Sequence, residues 1–348
     1  MGSHRRPADS GIDRGARGTR VTVISVAAAT AATAAAALAA APAGAAPQDT
    51  PATTKAKVDR LYEQAEKATE SYNKADERAD ILREQVQLAK DSVARGQERI
   101  NKMRGALGAL AGAQYRSGGI DPSLALMLSS DPAGYLDKAA ALARIGARQA
   151  DELTDLQKAQ RALSQERTEA TGKLAELEES RKAVARHKRS VEHKLAKARR
   201  LLNSLPSDER DAYDRASRSG RDGLPDLGGV VPASSRAAAA IAAARSAVGN
   251  PYVWGANGPF GFDCSGLTQW SYAQAGVGLP RTSQAQRYAG RQVPLGQAQP
   301  GDLITYRDDA SHIGMYMGNG QVVHAPYPGA AVRYDPVGMM PVSSVTRI

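Results

Sequence analysis

Between Ala52 and Leu205 the chain contains only two prolines, Pro122 and Pro132, whereas twelve occur from Pro206 to the end. A proline inside a helix removes a hydrogen bond and clashes with the preceding turn, so this distribution predicts a helical first half and a loop-rich second half. Apolar or small residues recur at alternating spacings of three and four through Val58, Leu61, Ala65, Ala68, Tyr72, Ala75, Ala79, Leu82, Val86, Ala89, Val93, Ile100, Met103, Leu107 and Leu110, interrupted at Gly96. Sustained over about seven heptads, that is a coiled-coil pattern reaching ~80 Å. A second series, Leu153, Leu156, Leu163, Ala170, Leu174, Leu177, Val184, Val191, Leu195, Ala198, Leu202 and Leu205, is leakier, with polar residues at Gln160, Arg167, Arg181 and Lys188.

Residues 46–205 are therefore expected to form an all-α antiparallel coiled-coil hairpin whose tip, about 117–136, carries Gly118-Gly119, Pro122 and Pro132. The apolar run Leu124 to Leu128 at that tip is a candidate docking surface. Alanine at so many core positions permits close approach but buries little area, which predicts a marginal rod. Such an arm reads either as a spacer or as a partner-binding, self-inhibiting element.

Ahead of the rod, residues 1–20 carry five Arg and little apolar surface, and Val21 to Ala41 then runs uncharged into Ala41-Pro-Ala-Gly-Ala-Ala46. This is the layout of a signal peptide, expected over 1–45, and it implies a secreted, cell-wall-associated protein. A retained membrane anchor is the competing reading, weakened by the poor lipophilicity of Ala and Thr and by the small-residue cleavage sites. The net charge of +10 suits anionic membrane or the acidic polymers of a cell wall, and export leaves no role for nucleic acid as a partner.

After Pro206 the composition changes: Lys197 is the last lysine and Glu209 the last glutamate. Residues 206–235, rich in Gly, Pro, Ser and Asp, are expected to be a flexible linker, and 236–348 a separate α+β domain. That domain holds the only cysteine, Cys264, which in an exported chain is either a buried thiol or a reactive one. A glycine-rich loop leads into Phe262-Asp-Cys-Ser-Gly266, and the spacing of Leu267 and Trp270 predicts a helix ending at Gly276. Asp263 would cap it and place Cys264 in its first turn, where unpaired N–H groups lower a thiol pKa.

Of five histidines, only His312 and His324 lie in this domain. Asp302 to Tyr306, Ser311 to Met317 and Gln321 to Ala325 have strand character, and Gly318-Asn-Gly320 is a hairpin turn. A three-residue loop pairs Met317 with Gln321 and sets His324 opposite Gly314, so that both imidazoles share a face; a two-residue loop would part them. Nucleophile, base and orienting group are then all present. Cys plus two His also matches an open zinc site, but no close ligand pair accompanies it, so no metal or other cofactor is expected.

Tyr252-Val-Trp-Gly255, Phe262-Asp-Cys-Ser-Gly-Leu267, Arg281-Thr-Ser283, Pro300-Gly-Asp-Leu303, Ser311-His-Ile-Gly-Met-Tyr316 and Val323-His324 together resemble the NlpC/P60 family of cell-wall cysteine peptidases. The resemblance implies a papain-like α+β fold with an antiparallel sheet. It also implies D,L-endopeptidase cleavage of peptidoglycan stem peptides, typically between γ-D-glutamate and a diaminopimelate-type residue. Carried over, Cys264 is the nucleophile, His312 the general base and His324 the member that orients it. Tyr252 would help hold the oxyanion, and Asp263, Ser265, Arg281 and Ser283 resemble substrate-contact positions. On local sequence alone Asp263 reads equally as a helix cap and Arg281 as a surface charge. A coiled-coil scaffold that activates other wall hydrolases is the alternative function.

Overall fold

The structure, a computed structural model, describes residues 50–116, 122–128, 134–218 and 231–348. The expected signal segment 1–45, parts of the expected tip and residues 219–230 lie outside the described residues. No helix among the described residues is long and apolar enough to cross a membrane.

The proline-poor half folds as expected into two long helices, α1 (Pro51–Arg116) and α3 (Tyr135–Asn203), joined across a tip that contains the short α2 (Pro122–Met127). At 1.5 Å per residue, the 66 residues of α1 span about 100 Å. Cross-helix bonds show the antiparallel register: Arg78 Nη2 donates to Glu176 at 2.7 Å, Ser180 Oγ to the Ala75 carbonyl at 2.8 Å and Arg167 Nη2 to Gln97 at 2.7 Å. Gly96 does not interrupt α1. A Cβ there would lie 3.2 Å from Leu163 Cδ1 and 2.8 Å from Glu166 Oε2, so the glycine lets α3 approach closely. The seam is packed most fully towards its base, around Val58, Ala65, Val191 and Leu195, continues through Ala79, Leu82 and Val86 to Ile100 and Leu163, and leaves Leu153 and Leu174 exposed. On α2, Leu124, Met127 and the following Leu128 are exposed.

Where a flexible linker is expected from residue 206, the chain instead forms α4 (Ser207–Arg218). Its first turn carries Asp208 and Glu209, which suit the positive end of a helix. Lys55 pairs with Glu209, and Tyr213 Oη donates to Asp59 at 3.0 Å, so α4 lies against the base of α1. Composition missed this helix because its stabilisation comes from the neighbouring rod.

The C-terminal region combines α5 (Ser235–Ser246), α6 (Cys264–Gln274) and α7 (Ser283–Gln286) with a six-stranded antiparallel sheet. Its strands are β1 (Arg291–Val293), β2 (Leu303–Tyr306), β3 (His312–Gly318), β4 (Gln321–His324), β5 (Arg333–Pro336) and β6 (Val342–Arg347), in the order β1-β6-β2-β3-β4-β5. The helices pack on one face through Ala240, Ala244, Leu267 and Tyr272, with Phe262 of the loop before α6, against Leu303, Ile313, Met315 and Val323. The central strands β2 to β4 match the expected ones. The short edge strands and β6 carry weak alternation and become strands by pairing with a sheet already formed.

Candidate active site

Asp263 is the N-cap of α6: its backbone is extended and its Oδ1 accepts from Gly266 N at 2.7 Å. Cys264 is therefore the first helical residue. Gly266 is required by contact, since a Cβ there would sit 2.2 Å from the Ala256 carbonyl oxygen. The capping turn thus packs directly on the preceding glycine-rich loop.

On the sheet, Met315 pairs with Val323, which sets His324 opposite Gly314 as the longer-loop register predicts; the register then slips by one residue at the Gly318 turn. A Cβ on Gly314 would approach His324 Cβ to 3.1 Å. The space left by that missing methyl lets His312 Nε2 and His324 Nδ1 meet at 2.8 Å with their rings edge to face. Both imidazoles are buried, and burial depresses their pKa values, that of His312 most strongly.

Arg281 is not a surface charge. Its guanidinium forks onto Asp263, with Nη1 3.0 Å from Oδ1 and Nη2 2.6 Å from Oδ2, and Nη1 also reaches Ser265 Oγ at 3.0 Å. Ser283 Oγ donates to the Ala310 carbonyl at 2.6 Å and leaves its backbone N–H facing the cleft. Tyr252 is buried, and its hydroxyl is pushed well above its usual pKa by burial and by the neighbouring Cys264 and Asp263.

The cleft over Cys264 is occupied by α1. Glu70 lodges there: Oε1 accepts from Ser265 Oγ at 2.7 Å and lies 3.6 Å from Cys264 Sγ, while Oε2 accepts from Ser283 N at 2.9 Å. One turn earlier, Glu66 Oε2 pairs with Arg307 at 2.6 Å and stands 3.7 Å from His312 Nδ1. Asn73 Nδ2 donates to Asp263 Oδ2 at 3.0 Å, and Glu77 accepts from Arg281 N at 3.2 Å. The indole of Trp254 meets the Tyr72 ring edge-on at 5.2 Å. Cavities of about 500 and 450 Å³ remain on either side of the helix, lined respectively by Glu70, Lys74 and Thr282 and by Asn73, Asn257 and Arg281.

Glu66, Glu70, Asn73 and Glu77 recur at spacings of four, three and four, beside the apolar seam and in phase with it. Polar residues at this spacing ordinarily mark a solvated face, so nothing in the sequence singles these four out. The expectation of a lowered thiol pKa fails in this arrangement. Burial, followed by the Glu70, Asp263 and Glu66 carboxylates, holds Cys264 well above the usual thiol value, against a smaller opposing bond from the Ser265 backbone.

Asp335 on β5 was also missed. Its Oδ2 stands 2.8 Å from His324 Nε2 and 2.8 Å from Arg333 Nε. An isolated Asp in an edge strand carries no local signal of such a role.

Residues 249–345 match the NlpC/P60 family. A probable endopeptidase of Corynebacterium glutamicum is 44% identical over 116 residues, 33% of this chain and 56% of that protein. A probable endopeptidase of Mycobacterium tuberculosis is 46% identical over 117 residues, covering 33% of this chain and 30% of that one. The crystal structure of the P60 domain from the M. avium subspecies paratuberculosis antigen MAP1204 is 38% identical over 32% of this chain and 94% of that chain, with a TM-score of 0.31. The chain thus spans about half the length of the Corynebacterium relative and less of the mycobacterial one. The C-terminal part of the chain is an NlpC/P60 family domain.

Proposed function

We propose that this NlpC/P60 domain is the catalytic part of an exported cysteine peptidase that cuts peptidoglycan stem peptides, and that α1 holds it inactive at rest. Cys264 attacks the scissile carbonyl, His312 takes the thiol proton and returns it to the leaving amine, and His324 orients His312. Backbone N–H groups at the start of α6, with Tyr252, face the developing oxyanion. Asp263, Ser265, Arg281 and Ser283 line the substrate side of the cleft. The bond between γ-D-glutamate and a diaminopimelate-type residue is the proposed target, and the net charge of +10 favours retention at anionic wall polymers.

The observation that carries the inhibited state is the Glu70 carboxylate seated 3.6 Å from Cys264 Sγ on the Ser265 hydroxyl and Ser283 amide. While that contact holds, a substrate carbonyl cannot reach the thiol, and the surrounding carboxylates suppress the thiolate. Activation then requires α1 to leave, and a membrane-protein activator pulling on the exposed apolar tip around α2 is the proposed trigger.

The test is digestion of purified peptidoglycan by three proteins: residues 46–348, residues 231–348, which retain the Ser234 cap of α5, and the latter with Cys264→Ala. New diaminopimelate-terminated fragments, identified by mass, are expected from the short protein alone. Equal digestion by the long and short proteins would remove the inhibitory role of α1. Failure of every folded protein on several wall types would leave the scaffold function in its place.

A further inference from the structure

We infer that Asp335 is a positioning residue of the Cys264 site: through His324 it sets the protons of the histidine pair, so that His312 presents an unprotonated Nδ1 to the cleft. This rests on the peptidase reading above and extends the site to a strand that no motif marks.

Three distances define the argument. Asp335 Oδ2 lies 2.8 Å from His324 Nε2, and His324 Nδ1 lies 2.8 Å from His312 Nε2. His312 Nδ1 is buried with no hydrogen-bond partner among the described residues; of the charged groups beside it, Glu66 Oε2 stands at 3.7 Å, and Arg307 is paired with that same carboxylate. A carboxylate only accepts, so His324 Nε2 must carry the hydrogen. In a neutral imidazole the other nitrogen is then an acceptor, and His324 Nδ1 can take only a hydrogen held by His312 Nε2. That leaves the lone pair of His312 on Nδ1, on the side where α1 now sits. The opposite assignment would set two lone pairs facing each other at Asp335, and a buried repulsion of that kind is costly.

Charge supports the same reading. Burial works to raise the Asp335 carboxyl, but hydrogen bonds and charge from His324 and Arg333 outweigh it and hold the group ionised below the usual carboxylate range. Arg333 in turn donates from Nη1 to the Ser217 carbonyl of α4 at 3.2 Å and stacks its guanidinium 5.8 Å from the Tyr327 ring centre, so Asp335 is itself held. When His312 accepts the thiol proton at Nδ1, its Nε2–H stays on His324. The new positive charge is balanced by Asp335 across one intervening ring, and no further proton has to move.

The test has two arms. In the full chain, the ring-nitrogen shifts of His312 and His324 are read by long-range proton–nitrogen NMR, which needs no enzymatic turnover. The wild type is expected to show both histidines as Nε2–H tautomers, and Asp335→Ala to shift them towards Nδ1–H. Peptidoglycan hydrolysis is then measured in a Glu70→Ala background, in which the hold of the arm is weakened. Asp335→Ala is expected to lower kcat by about 100-fold or more with KM little changed, by analogy with removal of the orienting carboxylate in Ser-His-Asp enzymes. Asp335→Asn, which keeps the volume and one acceptor oxygen, should fold if the alanine variant does not, and should move the acid limb of kcat/KM to lower pH. Unchanged tautomers in both variants would overturn the inference whatever the activity. Altered tautomers without hydrolysis in any background would uphold it while defeating the peptidase reading.

Discussion

On the proposed function, the hold of α1 on the Cys264 cleft is expected to depend on pH, because docking takes up protons. Glu66 and Glu70 are each pushed up to about 7 from an ordinary value of 4.5, chiefly by burial. Arg307 draws Glu66 back down, and Asp263 adds to the rise at Glu70. The groups facing them are Arg307 and His312 for Glu66, and Cys264, Ser265, Asp263, Arg281 and Ser283 for Glu70. On a released, solvated helix both carboxyls return to the ordinary range, so the seated arm binds protons that the free arm does not. Seating is therefore favoured at low pH and weakens as pH rises through about 7. Between pH 6 and pH 8 each glutamate should lower the docking constant about tenfold, and the pair about 100-fold, or about 3 kcal/mol. The assay is alkylation of Cys264 by iodoacetamide in the full chain, each rate divided by that of the Glu66→Gln/Glu70→Gln protein at the same pH. Glutamine imitates the protonated acid without titrating, and the intrinsic reactivity of the freed thiol cancels in the ratio. The ratio should climb about 100-fold from pH 6 to pH 8, and the emission of Trp254, which packs on Tyr72 of α1, should change in parallel. A ratio constant within twofold would refute the proton linkage.

Glu70→Ala removes the acceptor for Ser265 and Ser283; at about 1 kcal/mol per bond, basal hydrolysis by the full chain at pH 6 should rise about 30-fold, read as release of wall fragments. Arg307→Ala leaves Glu66 buried without its ion pair, which should weaken seating at pH 8, where the seated carboxyl is ionised, and appear there as faster Cys264 alkylation. Gly314→Ala drives a methyl into His324 Cβ at 3.1 Å and should lower both thermal stability, by about 1–3 kcal/mol, and hydrolysis. Gly105→Ala and Gly108→Ala face open space on α1 and should each stabilise the rod by about 1 kcal/mol, seen by circular dichroism on heating, with the arm still seated.

The long helices were legible because their determinants are local and periodic: proline spacing and a repeat of apolar residues commit 66 and 69 residues to α1 and α3 before any tertiary contact is considered. The capped start of α6 was legible for the same reason, since an Asp before Cys-Ser-Gly satisfies orphan N–H groups within one turn. The register that brings His312 to His324 could be narrowed to two possibilities, and a hairpin turn with a one-residue slip selected between them. Edge strand β1 and helix α4 were hidden because each is held mainly by neighbours distant in sequence, and β5 because its short Arg-Tyr-Asp-Pro run carries little alternation.

By itself, the sequence determined the rod, the placing of the Cys264 thiol at a helix start and the two candidate histidines. Only the tertiary structure decided what lies against them: that Glu66 and Glu70, spaced like any solvated helix face, enter the cleft, and that Asp335 stands behind His324. A charge reads the same in sequence whether it meets water or a protein partner. Desolvation, which lifts those glutamates to about 7 and holds the Cys264 thiol protonated, depends on the surface that covers the charge. That surface comes from residues some two hundred positions away.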